Sequence, residues 1–318
     1  MAHSRSPVLH RAAYTALGLD DWTYETVECT AEDLPAWVAA RDGSWAGLSV
    51  TMPGKRAALE TAVSVSPRAR RVGSANTLVP HAGGWIADCT DVEGVAGALR
   101  AAGVREIRAA GRIGTVVPDG AVPDTVVLDA VVLGSGATAS AALGGIAELA
   151  GGAELAGGAD DAGADDAGVG DLTGLGGAAV TLVVRDPQRA VGTLDVAHRH
   201  GLSHRAVTWA DLVPGDLEHA AALVNTTPAG AVDAELAQRL VAALPAGAVV
   251  LDAVYHPWPT PLAAAAAARG LAVATGLDML LHQAFGQVEQ FTGRPAPRAA
   301  MHTALAATSD VALLPLPS

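Results

Sequence analysis

Cysteine is almost missing from this sequence: Cys29 and Cys89 are the only two, far apart and in no metal-like spacing. That argues against a disulfide scaffold and a metal centre, and makes a reducing cytoplasm the expected setting. Aromatic residues amount to only 3%, so Ala, Val, Leu and Gly must fill the interior. Basic residues are outnumbered, 20 Lys and Arg against 33 Asp and Glu, for a formal net charge of −13. A nucleic-acid partner is not expected, because a phosphate-binding face needs clustered Lys and Arg. No apolar run reaches the roughly 18 residues of a membrane span. The opening residues, MAHSRSPVLHR, lack a signal peptide's apolar stretch. No membrane partner is expected either.

What is present is a globular pattern. Half of the 318 residues are hydrophobic, and this length carries a prior of two domains, each able to bury a core. Ser6-Pro7 and VLHRAAYTALGL predict an amphipathic helix ended by Gly18. WTYETVEC (22–29) predicts a strand, AEDLPAWVAARD a helix, and WAGLSVTMP (45–53) a short apolar strand entering a Pro-Gly turn. A helix from Lys55, a hairpin over 75–88 and a helix from about Asp91 follow. Alternating β and α elements predict a mostly parallel sheet covered by helices.

Residues 104–124 are irregular. TVVLDAVVL (125–133) has the β-branched apolar run of a strand buried on both faces. A small-residue helix (139–150) comes next. Strands are predicted at TLVVR (181–185), AALVNTTP (221–228), AVVLDAVY (248–255) and LAVATG, with a helix from RAVGTLDVAHRHG and another from LAAAAAARG. The chain turns helical again from Leu277 to about Ala307. One segment stands apart: 151–177 is Gly, Ala and Asp with ADDAG occurring twice. Its composition predicts a disordered acidic insertion, and its Asp spacing does not match an EF-hand loop.

Gly134-Ser135-Gly136-Ala137-Thr138-Ala139 reads G-x-G-x-x-A, directly after a predicted buried strand and at the start of a helix. In that context it points to a dinucleotide. The first Gly permits the tight turn, the second lets a pyrophosphate approach the backbone, and the helix N-terminus attracts the phosphate charge. An ordinary Gly-rich turn is the plain alternative. A ribose-binding residue is expected about 20 positions on, yet the next strand ends at Val184-Arg185-Asp186. Discounting the acidic insertion restores the spacing. Arg185 and Arg189 suit a 2′-phosphate, whereas Asp186 suits a free 2′-hydroxyl and repels a phosphate.

Ser4, Ser6, Thr51, Lys55, Asn76 and Asp91 lie where strands give way to turns or helices, the usual ligand edge of an open α/β sheet. Singly, Ser6 and Asp91 are explicable as helix N-caps and Lys55 as a surface lysine. Together they offer hydroxyls, an amide, an ammonium and a carboxylate, a set suited to a polyhydroxylated ring acid.

HSRSPVLH (3–10), SVTMPGK (49–55), SANTL (74–78), DCTDVEG (88–94), DAVYHPWPTPL (252–262) and GLDMLLHQ (276–283) resemble the successive signature blocks of shikimate dehydrogenases, in order and approximate spacing. The resemblance implies an α/β protein of two domains. An N-terminal mixed α/β substrate domain (1–93 plus 277–318) would face a Rossmann-type doubly wound parallel-sheet domain (94–276) across a cleft. It implies NADPH-dependent reduction of 3-dehydroshikimate to shikimate, with NAD as an alternative cofactor, by a monomer or homodimer. Lys55 and Asp91 match the catalytic pair. Ser4 and Ser6 match the serines that hold the substrate carboxylate, and Thr51, Asn76, Tyr255 and Gln283 match further substrate contacts. Gly134, Ser135, Gly136, Ala137, Thr138, Arg185, Asp186, Arg189, Thr226, Ala253 and Gly276 match positions on the cofactor side.

The chain departs from that pattern in places. It begins at Met1-Ala2-His3, where family members carry a strand of the substrate-domain sheet. Cys89 replaces an asparagine, which is expected to loosen the loop carrying Asp91. Asp186 replaces a Thr or Ser in the cofactor-selecting turn, and Pro67 replaces an acidic residue. These departures leave two alternatives: a quinate or shikimate paralogue using NAD, and a catalytically impaired member of the same fold.

Overall fold

The computed structural model of the protein describes residues 4–104, 129–151 and 178–317. Residues 1–3, the first part of the expected strand 125–133, the irregular stretch from 105 and nearly all of the acidic segment 151–177 lie outside them.

The first half builds a mixed four-stranded sheet. Its strands are β1 (Leu48–Ser49), β2 (Ser64–Val65), β3 (Thr77–His81) and β4 (Gly84–Asp88), in the order β1-β3-β4-β2. The expected hairpin is β3–β4, antiparallel with Val79 opposite Ile86. β1 is antiparallel to β3, and β2 parallel to β4. Helices α1 (Ser6–Ala16), α2 (Leu34–Ala39), α3 (Lys55–Thr61) and α4 (Pro67–Val72) intervene. Leu34, Val38, Leu48, Ala58, Leu78 and Trp85 form the core here. Ser6 is the first residue of α1, whose N-cap is Arg5, so it is not a cap.

The stretch 22–29 forms no strand. A strand exists only through a ladder partner. Among the described residues no backbone hydrogen bond joins 23–29 to the run 46–50, although both runs line one cavity. The alternating side chains were legible in the sequence, but the missing partner was not.

The second sheet is fully parallel. β5 (Asp129–Leu133), β6 (Ala179–Val184), β7 (Ser203–Thr208), β8 (Ala222–Asn225), β9 (Val249–Asp252) and β10 (Ala272–Thr275) run in the order β10-β9-β8-β5-β6-β7. The chain order reverses between β5 and β8, the usual place for a ligand crevice. α5 (Asp91–Ala101), α6 (Ala137–Leu149) and α7 (Val191–Arg199) cover one face. α8 (Ala234–Ala243) and α9 (Pro261–Ala268) cover the other. α10 (Gly276–Thr292) and α11 (Arg298–Ala306) return to pack on α1. α5 runs unbroken through residues 93–94, packed between α6 and α10. The helix expected from about Asp91 is thus present, and it carries the chain across the expected domain boundary at 93/94. Among the described residues no helix is long and apolar enough to cross a membrane.

His10 is fully buried, stacked between Tyr24 and Phe291, and burial lowers its pKa to about 4. Burial does the same to His200 and His282. An unfolded chain takes up protons on these groups from about pH 6.5 downward, whereas the folded chain resists until about pH 4. Stability is therefore full above pH 6.5 and falls as the pH drops, by about 1.4 kcal/mol per unit for a fully buried histidine. Thermal melts between pH 7 and 4.5 should show Tm falling with acid, and a shallower slope for His10→Gln. Parallel slopes for the two proteins would contradict this assignment.

Candidate active site

Lys55 opens α3 and Asp91 opens α5. The hairpin between them folds the chain back, so the two first helical turns converge although 36 positions separate them. The Lys55 Nζ donates to Asp91 Oδ2 at 2.5 Å. Both are buried, at 8% and 6% exposure, which rules out the surface-lysine alternative. Asp91 is not an N-cap either, since Thr90 takes that position. Burial by itself pushes the Lys55 ammonium toward deprotonation. The touching Asp91 carboxylate more than reverses this and raises its pKa above the ordinary lysine value. Lys55 is the only lysine in the entire sequence, every other side-chain cation outside histidine being arginine. Retention of one compact, titratable amine among guanidinium groups was a signal available without coordinates.

Asn76 is the second centre. Its Nδ2 lies 3.0 Å from each of Thr90 Oγ1, Asp91 Oδ1 and Gln283 Oε1. An amide nitrogen has only two hydrogens, so one of these acceptors is available to an incoming hydroxyl. The Thr90 backbone N–H donates to Asn76 Oδ1 at 2.8 Å, which ties the Asp91 loop to β3. Cys89 does not loosen that loop. It is fully buried against Ala69, Val72 and Val92, and burial pushes its thiol up to about 12.

Ser4, Ser6, Thr51, Lys55, Asn76, Asp91, Tyr255 and Gln283 all line one cavity of about 1130 Å³. Burial raises the pKa of the Tyr255 phenol, which keeps it a neutral donor. From the parallel-sheet side, Thr138, Ala253 and Gly276 line the same cavity. A Cβ on Gly276 would stand 2.2 Å from the Ala253 carbonyl oxygen, so only glycine lets α10 begin this close to the end of β9.

The remaining expected cofactor positions sit along the same carboxyl edge. Leu133 pairs with Val183 of β6 and with Asn225 of β8, so the turn after β5, Arg185 after β6 and Thr226 after β8 emerge level with one another. Gly134 has φ +109°, and a Cβ there would stand 2.7 Å from Thr226 Oγ1. Thr226 donates to the Leu133 carbonyl at 2.7 Å, and Thr193, unmarked by any sequence signal we used, donates to the Ser135 carbonyl at 2.8 Å. These two hydroxyls clamp the turn. Gly136 is the N-cap of α6 and offers no side chain to its first N–H groups, with Ala137 next. Open backbone donors at the start of a 13-residue helix fit a pyrophosphate. Arg185 and Arg189 are exposed. Asp186 accepts from the Gln188 N–H at 2.9 Å, and its carboxylate lies 4.0 Å from Arg189 Nε. A dinucleotide therefore fits the residues present.

Comparison with known proteins agrees with this arrangement. Residues 1–78 match the family model described as Shikimate dehydrogenase substrate binding domain, and residues 276–306 the one described as Shikimate 5'-dehydrogenase C-terminal domain. A shikimate dehydrogenase (NADP(+)) of Acidiphilium cryptum strain JF-5 is 35% identical over 309 residues, 96% of this chain and 93% of the relative. The crystal structure of Mycobacterium tuberculosis shikimate dehydrogenase superposes with a TM-score of 0.76 at 45% identity, covering 96% of each chain. A Thermus thermophilus shikimate 5-dehydrogenase in complex with NADP(H) and shikimate superposes at 0.71 with 28% identity, over 97% of this chain and 96% of that one.

Proposed function

Because this chain belongs to the shikimate dehydrogenase family, we propose that it reduces 3-dehydroshikimate to shikimate reversibly, with NADPH as reductant. The observation that carries the reading is the buried Lys55–Asp91 pair, which shares one cavity with Thr138 and Gly276 from the dinucleotide edge. The substrate domain comprises 1–93 with 277–318, and the dinucleotide domain 94–276, with α5 as the shared strut.

When bound, the nicotinamide supplies the hydride to the ring carbonyl carbon. Lys55, held as an ammonium, gives its proton to the carbonyl oxygen as that oxygen becomes a hydroxyl. Asp91 Oδ2 keeps the ammonium aimed, and its Oδ1 with Gln283 Oε1 accepts from a neighbouring ring hydroxyl when Asn76 releases one of them. Ser4 and Ser6 hold the ring carboxylate, with Thr51 and Tyr255 contributing hydroxyl donors. The turn Gly134-Ser135-Gly136-Ala137-Thr138 would hold the pyrophosphate with its backbone, Arg185 and Arg189 would hold a 2′-phosphate, and Thr226, Ala253 and Gly276 would complete the cofactor side.

Steady-state oxidation of shikimate and of quinate, each with NADP⁺ and NAD⁺, tests this. Turnover of shikimate with NADP⁺ is expected to be fastest. Faster turnover of quinate would move the chain to a paralogous activity. A thermal shift with shikimate but no turnover would make it an impaired member. Asp186 sets how strongly NADP is preferred. Its carboxylate faces Arg189 and would repel a 2′-phosphate, so Asp186→Ser, which keeps the capping oxygen, should lower the KM for NADP⁺ about three- to fivefold, the scale of an exposed charge interaction. The KM for NAD⁺ should hardly move. A raised KM for NADP⁺ would show that Asp186 helps the site by orienting Arg189.

A further inference from the structure

A hydrogen-bond chain along the cavity wall has its direction fixed at one end. Gln287, on α10 one turn beyond Gln283, is buried at 1% exposure. Its Nε2 lies 3.0 Å from the Asn76 carbonyl oxygen. A carbonyl can only accept, so the amide orientation is forced. The same nitrogen donates to Thr77 Oγ1 at 3.2 Å. Thr77 then hands its own hydrogen to Asn76 Oδ1 at 2.8 Å. With Oδ1 occupied by donors, Asn76 presents its NH₂ to Asp91 Oδ1. On the other side Gln287 Oε1 can only accept. The Ser49 hydroxyl, 2.9 Å away, and the His10 Nε2, 3.3 Å away, are therefore both donors. Ser49 borders the cavity with its proton already committed to Gln287, and its oxygen also pairs with the Tyr24 phenol.

We propose that Gln287 is a positioning residue of the reaction: through Thr77 and Asn76 it sets the hydrogen bonding of Asp91, and through Ser49 it fixes the polarity of the cavity wall. This rests on the assignment of Lys55 and Asp91 as the catalytic pair. A buried glutamine with all its partners within one site could serve stability alone, so a test must read the far end of the chain of bonds.

Gln287→Glu retains the shape and makes the donor titratable. Protonated, the new carboxyl donates to the Asn76 carbonyl as the amide does. Ionised, it sets a negative oxygen against that carbonyl, and Asn76 loses its grip on Asp91. Two readouts follow. The kcat/KM for shikimate of the variant should fall with rising pH, reaching at least about tenfold below the parent by pH 9, while the KM for NADP⁺ stays within about twofold; tenfold corresponds to about 1.4 kcal/mol. Lys55, as the sole lysine, can be titrated without substrate by its rate of reductive methylation, the N-terminal amine being resolved by peptide mapping. An Asp91 deprived of its Asn76 donor holds the lysine proton more tightly, so the methylation midpoint should move to higher pH. Thr77→Val, which removes one link while preserving the shape, should shift the same midpoint in the same direction if the Glu variant does not fold. Coincident Lys55 titrations and an unchanged kcat/KM profile, even with a lowered Tm, overturn the proposal and leave Gln287 a packing residue. Absence of shikimate turnover in the parent protein would defeat only the functional assignment, because the Lys55 titration needs no substrate.

Discussion

Lys55→Ala is expected to lower kcat for shikimate oxidation at least about 10²-fold, the lower end of what a positioned acid–base group contributes, with a smaller change in KM. The reason is geometric. Among the described residues the Lys55 ammonium is the one cation paired with Asp91, at 2.5 Å, inside a cavity lined by hydroxyl and amide side chains. Removing it takes the proton donor from the oxygen that changes charge during the reaction, which is felt in the transition state more than in binding. Lys55→Arg should not restore the rate. A guanidinium stays protonated across the working pH range and is too broad and planar for a site shaped around an ammonium. Steady-state kinetics with saturating shikimate and NADP⁺ separate kcat from KM. A kcat equal to that of the parent protein would remove Lys55 from the chemistry.

Asp91→Ala should be nearly as damaging, and for a different reason. Two main opposing influences act on the Lys55 amine: burial favours the neutral form and Asp91 favours the charged one, with Asp91 prevailing. Without Asp91 burial is the largest influence left, and the amine's pKa should drop below the ordinary lysine value. The sign is testable directly, since reductive methylation at pH 7.5 should label Lys55 faster in Asp91→Ala than in the parent protein. Stability should fall as well. Removing one partner of a buried ion pair costs on the order of 3–5 kcal/mol, and the cavity gives water some access to Lys55, so the low end applies. Turnover should fall at least about 10²-fold. An amine that labels no faster than in the parent would mean that Asp91 does not govern it.

Much of the architecture was legible locally. The runs that became β5, β6, β8, β9 and β10 are apolar, β-branched and punctuated by turn residues, because a strand covered on both faces has no solvent side to encode. The turn at Gly134 could be read because a backbone at φ +109° admits almost nothing but glycine. By contrast, β7 (Ser203–Thr208) was not anticipated. Its residues SHRAVT are polar enough to lie at the sheet edge, where the apolar signal fades. β2 was likewise missed: Ser64–Val65 is too short to show a period. The stretch 22–29 shows the reverse error, a good strand pattern left without a ladder.

The site divides in the same way. Residue identities pointed to Lys55, Asp91, Asn76 and Gln283, since each stands in a recognisable local motif. Ser49, Thr77, Thr90 and Gln287 were passed over. None has a motif of its own, and their importance lies in which atoms they meet far along the chain, as Gln287 meets Asn76 and Thr77 across 211 and 210 positions.

The sequence by itself determined the parallel-sheet half, its glycine turn and the chemical inventory of the cavity, because strand burial, tight turns and functional-group supply are properties of short segments. Only the tertiary structure decided that the Lys55 ammonium rests on Asp91, that α5 runs as one rod between α6 and α10, and that a glutamine on α10 meets the Asn76 carbonyl and Thr77. Those facts depend on distance and direction between atoms remote in the chain. A hydrogen bond lost to an ångström or a wrong angle leaves no trace in the order of the residues.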